Sequence, residues 1–215
     1  MPDVAKTYPL PRDVRDASVL RYGFHGLSCQ SIVRQLGADV PERLVIAHLG
    51  GGCSVTAVLG GRSVDTTMGL TPSGGIMMST RAGDLDPGVL IYLMRERGLD
   101  ADALGDLVDR RSGLLGASDR SGDLRKLHGE RAAEAALAIA MFIRSAAKGI
   151  AAMMTSLGGA DLLVFTGGVG EHDAAVCGAI SEGLSWAGIG EIRVLPSLED
   201  EEIARISEEL GPRGV

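Results

Sequence analysis

An apolar run, Leu44-Val45-Ile46-Ala47, ends in His48-Leu49-Gly50-Gly51-Gly52-Cys53-Ser54, and a second β-type run, Ser54 to Leu59, starts where it stops. No other feature constrains the fold as strongly. Four apolar residues without alternation read as a strand buried on both faces. Three glycines at its end let backbone N–H groups approach a ligand, because no Cβ intervenes. Such a turn can form a concave nest for an anion, and His48 at its lip adds a donor that is neutral or cationic near neutral pH. A tight β-hairpin with a core histidine fits the same residues. The stretch alone leaves both readings open.

The pattern continues as a meander. Gly60-Gly61 turns the second strand into a third, Arg62 to Thr66, so three antiparallel strands follow one another with no helix between them. Asp65 either approaches the edge of the glycine turn or serves as a strand-end carboxylate accepting from a turn. From Met68 to Pro87 the chain is rich in Gly, Ser and Thr, with Arg81 in its midst, and long loops of this kind often carry function. Arg81 beside Gly83 and Asp84 suits two roles: a bidentate clamp on a carboxylate or phosphate, or an Arg–Asp pair that pins the loop.

Upstream, Arg21-Tyr22-Gly23-Phe24-His25-Gly26 leads to Ser28, which the spacing predicts as the cap of a helix from Gln30 to Leu36. His25 and Cys29 form an i, i+4 pair, but two ligands are too few for a zinc site. Residues 1–20 show no clear period and read as an irregular lead-in.

Downstream, Asp86-Pro87 starts a helix that Gly98 stops near Arg97. A short helix spans Asp100 to Arg110, and Ser112 to Ser118 reads as a Gly/Ser loop. A long Ala-rich helical pattern runs from Gly129 to Leu157. A buried strand, Asp161 to Thr166, then meets Gly167-Gly168-Val169-Gly170-Glu171 and a helix from Asp173 to Trp186. Strand, glycine turn and helix start suit a nucleotide's phosphate or ribose. The turn is not a P-loop, since no Gly-Lys-Ser/Thr follows, and it lacks the third glycine of a dinucleotide fingerprint. Ile192–Leu195 is a last strand and Glu199–Leu210 a last helix. A meander followed by βαβ units predicts an α/β fold with a mixed sheet and helices on both faces.

Composition narrows the partners. Aromatic residues make up 3% of the chain and the net charge is −7, which argues against stacking platforms for single strands and against nucleic acid generally. No apolar run reads as a membrane span, and no signal-peptide pattern opens the chain. Three cysteines without a CxxC pair suit reduced thiols, so a cytoplasmic setting is expected.

Five motifs, in order, carry a resemblance: Arg21–Gly26, His48–Ser54, Ser63–Pro72, Thr80–Pro87 and Phe165–Glu171. Together they resemble the acetate kinase family, over nearly the whole chain but only the C-terminal half of the family's protein. The resemblance implies a ribonuclease H-like (actin-like ATPase) domain over residues 21–215, of the type shared with sugar kinases and heat-shock ATPases. The family's N-terminal domain is expected to be absent. The implied reaction moves the γ-phosphoryl of ATP to a short-chain carboxylate such as acetate, with propionate and butyrate as alternatives, giving ADP and an acyl phosphate. Mg2+ accompanies the ATP. His25 and Arg81 match the family's transition-state stabilisers, and Arg81 also lies near the carboxylate. His48, Leu49, Gly50, Gly51 and Gly52 match its phosphate loop, with His48 beside the transferring group. Asp123, Leu124 and Arg125 match a segment at the adenosine pocket. Gly167, Gly168, Val169, Gly170 and Glu171 match the other adenosine-side loop, and Glu199 matches a magnesium-binding glutamate. The implied partner is a second copy, or the N-terminal half with its catalytic aspartate.

Three departures accompany it. Leu27-Ser28-Cys29 stands where the family has Thr-Ser-His, Gly51 stands where it has Asn, and a longer family insertion between Trp186 and Ile192 is missing. A nucleotide-binding module without turnover of its own is the competing expectation.

Overall fold

The computed structural model describes residues 1–210. Five strands form one sheet: β1 (Arg43–Leu49), β2 (Cys53–Leu59), β3 (Arg62–Thr66), β4 (Leu162–Thr166) and β5 (Glu191–Val194), in the order β3-β2-β1-β4-β5. The first three pair antiparallel, and β4 and β5 run parallel to β1. This is the expected mixed sheet.

Alternation along β1 explains its unbroken apolar run. Val45, Ala47 and Leu49 point to one core and Leu44 and Ile46 to the other, so both faces are dry. Helix α8 (Ala133–Leu157) covers the first face with Ala135, Ala138, Phe142, Ala146 and Ile150. Its small residues bring it close: a Cβ at Gly149 would stand 2.5 Å from Ile76 Cγ2. By length and composition α8 is apolar enough to cross a membrane, which the sequence reading did not anticipate. Its buried stripe against β1 and β2 marks it as the core helix of this domain. Helix α3 (Gly26–Leu36) covers the other face with Cys29, Ile32 and Leu36.

Helix α10 (Ala174–Gly183) adds Val176, Cys177 and Ile180 to the α8 core. Helix α11 (Glu199–Leu210) lies on α3, where the fully buried Glu202 accepts from Arg34 Nε at 2.8 Å and pairs with Arg205. Helices α4 (Pro87–Arg97) and α5 (Ala101–Arg110) start where the sequence places them. Asp86 and Asp100 accept from Gly88 N and Ala103 N, each at 2.9 Å.

Several local expectations need correction. The lead-in holds two short helices, α1 (Asp3–Lys6) and α2 (Arg12–Asp16). The Gly/Ser stretch at 112–118 is helix α6 (Gly113–Ser118), because Leu114 is buried and its N–H donates to Met78 O. Asp123 caps the single turn α7 (Leu124–Leu127). Glycines 167, 168 and 170 are not a turn before a helix but the first turns of helix α9 (Gly167–His172). Asp173 ends α9 and caps α10.

Candidate active site at the carboxyl ends of the central strands

The two glycine segments meet because β1 and β4 are parallel neighbours, with His48 in register with Thr166. Their carboxyl ends therefore open side by side, where open α/β sheets bind ligands. The β1–β2 connection is a three-residue hairpin, Gly50 to Gly52, between the paired Leu49 and Cys53. The turn is the expected hairpin, but His48 is not the core residue that this reading paired with it. Cys53 closes the turn, its buried thiol lying 3.3 Å from Gly50 O. Burial pushes this thiol's pKa up to about 12, so it stays protonated.

Three side chains converge on the turn. His25 and His48 stack, with ring centroids 4.2 Å apart and planes 24° apart. A Cβ at Gly52 would stand 3.1 Å from His25 Nε2 and 3.2 Å from Arg81 Nη1. A Cβ at Gly167 would stand 3.2 Å from His48 Nε2 and 2.8 Å from Leu49 O, and Gly167 has φ +78°. These glycines leave the space that the imidazoles and the guanidinium look into. Burial, then the neighbouring Arg81 charge, lowers the His25 pKa. Burial, then His25, lowers that of His48 to about 4. Near neutral pH the pair is therefore uncharged and Arg81 carries the cation.

His25 sits at φ 59°, ψ 26°, a left-handed conformation that turns the chain directly into α3. The helix consequently begins at Gly26. Ser28 is not its cap but a buried residue of its first turn, with Oγ 2.9 Å from His48 Nδ1. Arg81 is not the loop pin that sequence allowed. Asp84 Oδ1 accepts instead from Gly75 N at 2.7 Å. Among the described residues the Arg81 guanidinium donates only long hydrogen bonds from Nη1, to Pro72 O at 3.4 Å and to Met78 Sδ at 3.7 Å. Asp65 faces away from the glycine turn, held by Thr66 N and Ser156 Oγ, each at 2.8 Å. Cys29 Sγ donates to Thr56 Oγ1 at 3.6 Å and does not pair with His25 as a ligand.

A cavity of about 860 Å³ adjoins the turn, lined by Gly50, Gly51, Gly168 and Val169 on one side and Asp123 to Arg125 on the other. The structure thus brings both predicted adenosine-side segments together. Asp123 holds Arg125 through Nε at 3.0 Å and Nη2 at 2.8 Å. Three predicted residues turn no side chain into this cavity. Leu49 is fully buried, Gly170 packs under Phe165, and Glu171 Oε1 accepts from Gly167 N and Ser197 N, each at 2.9 Å. Glu199 opens α11, half-buried, with its charge reaching Cys29. Among the described residues no three His, Cys, Asp or Glu side chains cluster to hold a metal.

Sequence reasoning missed Ser54 and Ser197, which touch the histidine pair directly or through Ser28. It also missed His128, whose Nε2 lies 2.8 Å from Asp173 Oδ2 at the cavity. Isolated serines carry no spacing signal, so only tertiary contact reveals them.

Known proteins resemble this chain in sequence and fold. A family model described as the Acetokinase family matches residues 1–203. The acetate kinase of Thermosynechococcus vestitus is 48% identical over 198 residues, covering 88% of this chain and 47% of that protein. The solved acetate kinase of Porphyromonas gingivalis superposes with TM-score 0.90 at 33% identity, covering 98% of this chain and 61% of that one. A propionate kinase from Francisella tularensis gives TM-score 0.92 at 31% identity, covering 97% and 61%. The chain spans about half the length of the curated relatives it matches.

Proposed function

The chain belongs to the acetokinase family, and from that membership we propose that it forms the nucleotide-binding wall of a carboxylate kinase. The reaction we assign is ATP plus acetate, or another short-chain carboxylate, to ADP plus the acyl phosphate. A carboxylate oxygen forms the new bond to the γ-phosphorus, and the bond from that phosphorus to the bridging oxygen of ADP breaks. One observation carries the reading: His25 Nε2 and Arg81 Nη1 converge on Gly52, beside the backbone of a glycine turn.

Such transfer is mostly positioning and neutralisation of charge spread over the phosphoryl oxygens. The turn's N–H groups suit the phosphates. Arg81, free of any carboxylate partner among the described residues, offers its cation to the transferring group or the acceptor carboxylate. His25 and His48 add neutral donors. The cavity between Gly168 and Asp123 has the size of an adenosine site.

The family implies a divalent metal with ATP, and we take it to be Mg2+. Mg2+ commonly binds through one or two carboxylates plus substrate phosphates rather than a protein cage. Glu199 is a lone half-buried carboxylate two residues after Ser197, whose Oγ reaches the Ser28 that contacts His48, and with no ligand cluster among the described residues it fits that mode. The ion would supply charge neutralisation on the phosphates.

Relatives of twice this length support a second domain as the opposite wall. A second copy as partner is likewise part of the proposal. The free thiols of Cys29, Cys53 and Cys177 support a reducing, cytoplasmic setting.

Nucleotide binding without turnover is favoured by a different observation: no carboxylate hydrogen-bonds His25, His48 or Arg81 among the described residues. Hydroxylamine trapping separates the two. With ATP and acetate, the chain supplemented with the amino-terminal half of a relative should give acetyl hydroxamate. Nucleotide binding with no hydroxamate from acetate, propionate or butyrate would favour the second reading.

A further inference from the structure

Each ring of the stacked histidine pair uses one nitrogen to reach a serine and turns the other toward the glycines. His25 Nδ1 lies 3.0 Å from Ser54 Oγ, and His48 Nδ1 lies 2.9 Å from Ser28 Oγ. His25 Nε2 looks at Gly52, and His48 Nε2 lies between Gly167 and Gly50. Both serines are fully buried. Ser28 Oγ is also 2.9 Å from Ser197 Oγ, whose backbone N–H is fixed by Glu171.

A neutral imidazole has one N–H and one lone pair, so the partner of one nitrogen decides what the other presents. A hydroxyl can either donate or accept, and the cost of a buried unpaired donor settles the direction at Ser54. His25 Nδ1 is the only hydrogen-bond partner of Ser54 Oγ among the described residues. If the ring donated, the buried hydroxyl hydrogen would have no acceptor, at about 1–3 kcal/mol. Ser54 therefore donates. At Ser28 the run Ser197 to Ser28 to Nδ1 satisfies each hydroxyl in turn and leaves Nε2–H at the glycines.

We propose that Ser54 and Ser28 are positioning residues that donate to Nδ1 of His25 and His48 and hold both rings as Nε2–H donors facing the glycine turns. The pair then presents two N–H groups to an anion without stacking two cations beside Arg81. Donors fixed in advance cost no reorganisation when charge develops. That the anion is a nucleotide phosphate rests on the function proposed above; the tautomers do not.

Long-range ¹H–¹⁵N correlation spectra of the labelled chain near neutral pH read the tautomer of each of its four histidines. His25 and His48 should show Nε2 protonated and Nδ1 bare. A dominant Nδ1–H form at either ring overturns the assignment there, with no variant needed. Ser28→Ala should convert His48 alone, and Ser54→Ala His25 alone, to a mixture of tautomers. A single unchanged Nε2–H form in a folded variant would remove the serine's role. Addition of MgATP should shift both Nε2 signals. If the tautomers hold and MgATP shifts neither, the phosphate reading falls and the positioning role stands.

Discussion

His25 and His48 stack at 4.2 Å between ring centroids, although the whole of α3 and most of β1 lie between them in sequence. The contact arises because the left-handed His25 throws α3 back across the sheet, laying its first turn over the end of β1. Burial favours the neutral form of both rings, and the Arg81 charge beside His25 and the His25 ring beside His48 add to it.

The pH dependence follows with a definite sign. The folded His48 pKa is about 4, below its ordinary value of 6.5, so between those values the unfolded chain binds more protons. Stability should be fully present above pH 6.5 and fall as pH drops toward 4, at a rate of up to about 1.4 kcal/mol per unit. The direction for His25 is the same. Denaturant melts at pH 7 and pH 5 check this, and His48→Gln should flatten the slope.

Arg81→Ala should lower turnover of the reconstituted enzyme by about 10²–10³-fold, the usual cost of losing a donor to transition-state charge. ATP affinity should change far less, since the turn and the cavity lined by Asp123 and Gly168 remain. Arg81→Lys should rescue little, because a point charge does not reproduce the planar fork. Steady-state kinetics beside calorimetry separates the two effects.

Asp123→Ala should do the reverse. It frees Arg125 and removes the cap of α7, so MgATP binding should weaken while kcat of the reconstituted enzyme changes little. Equilibrium titration with MgATP and with inorganic triphosphate locates the loss: only the nucleoside should be affected.

Gly167→Ala should destabilise the fold and disorder the site together. Its φ of +78° and the 2.8 Å approach of Leu49 O to an added Cβ leave no room, a cost of about 1–3 kcal/mol. Gly51→Asn should be tolerated, since nothing stands within 4 Å of an added Cβ. Thermal melts of the two variants make the comparison.

The sheet was legible because its central strands are short apolar or β-type runs that end at glycine turns. The order of β1 to β3 and the two-faced burial of β1 could be read directly. The candidate residues were named through motifs and resemblance, and the structure brings His25, His48 and Arg81 together around Gly52 and Gly167, with Asp123 on the adjoining cavity. Three things were not. Helix α6 forms around the burial of Leu114, which overrides a Gly/Ser composition. Ser28 looks like a cap by type, but the backbone of His25 starts the helix earlier. Ser54 and Ser197 act only through partners far away in sequence.

Phosphoryl transfer to a carboxylate, as against mere holding of nucleotide, can be followed by incubating the chain, the amino-terminal half of a relative and acetate with [γ-³²P]ATP. Labelled acetyl phosphate should form and should be lost with Arg81→Ala. Labelled inorganic phosphate alone, or acetyl phosphate unaffected by Arg81→Ala, would overturn the proposed transfer.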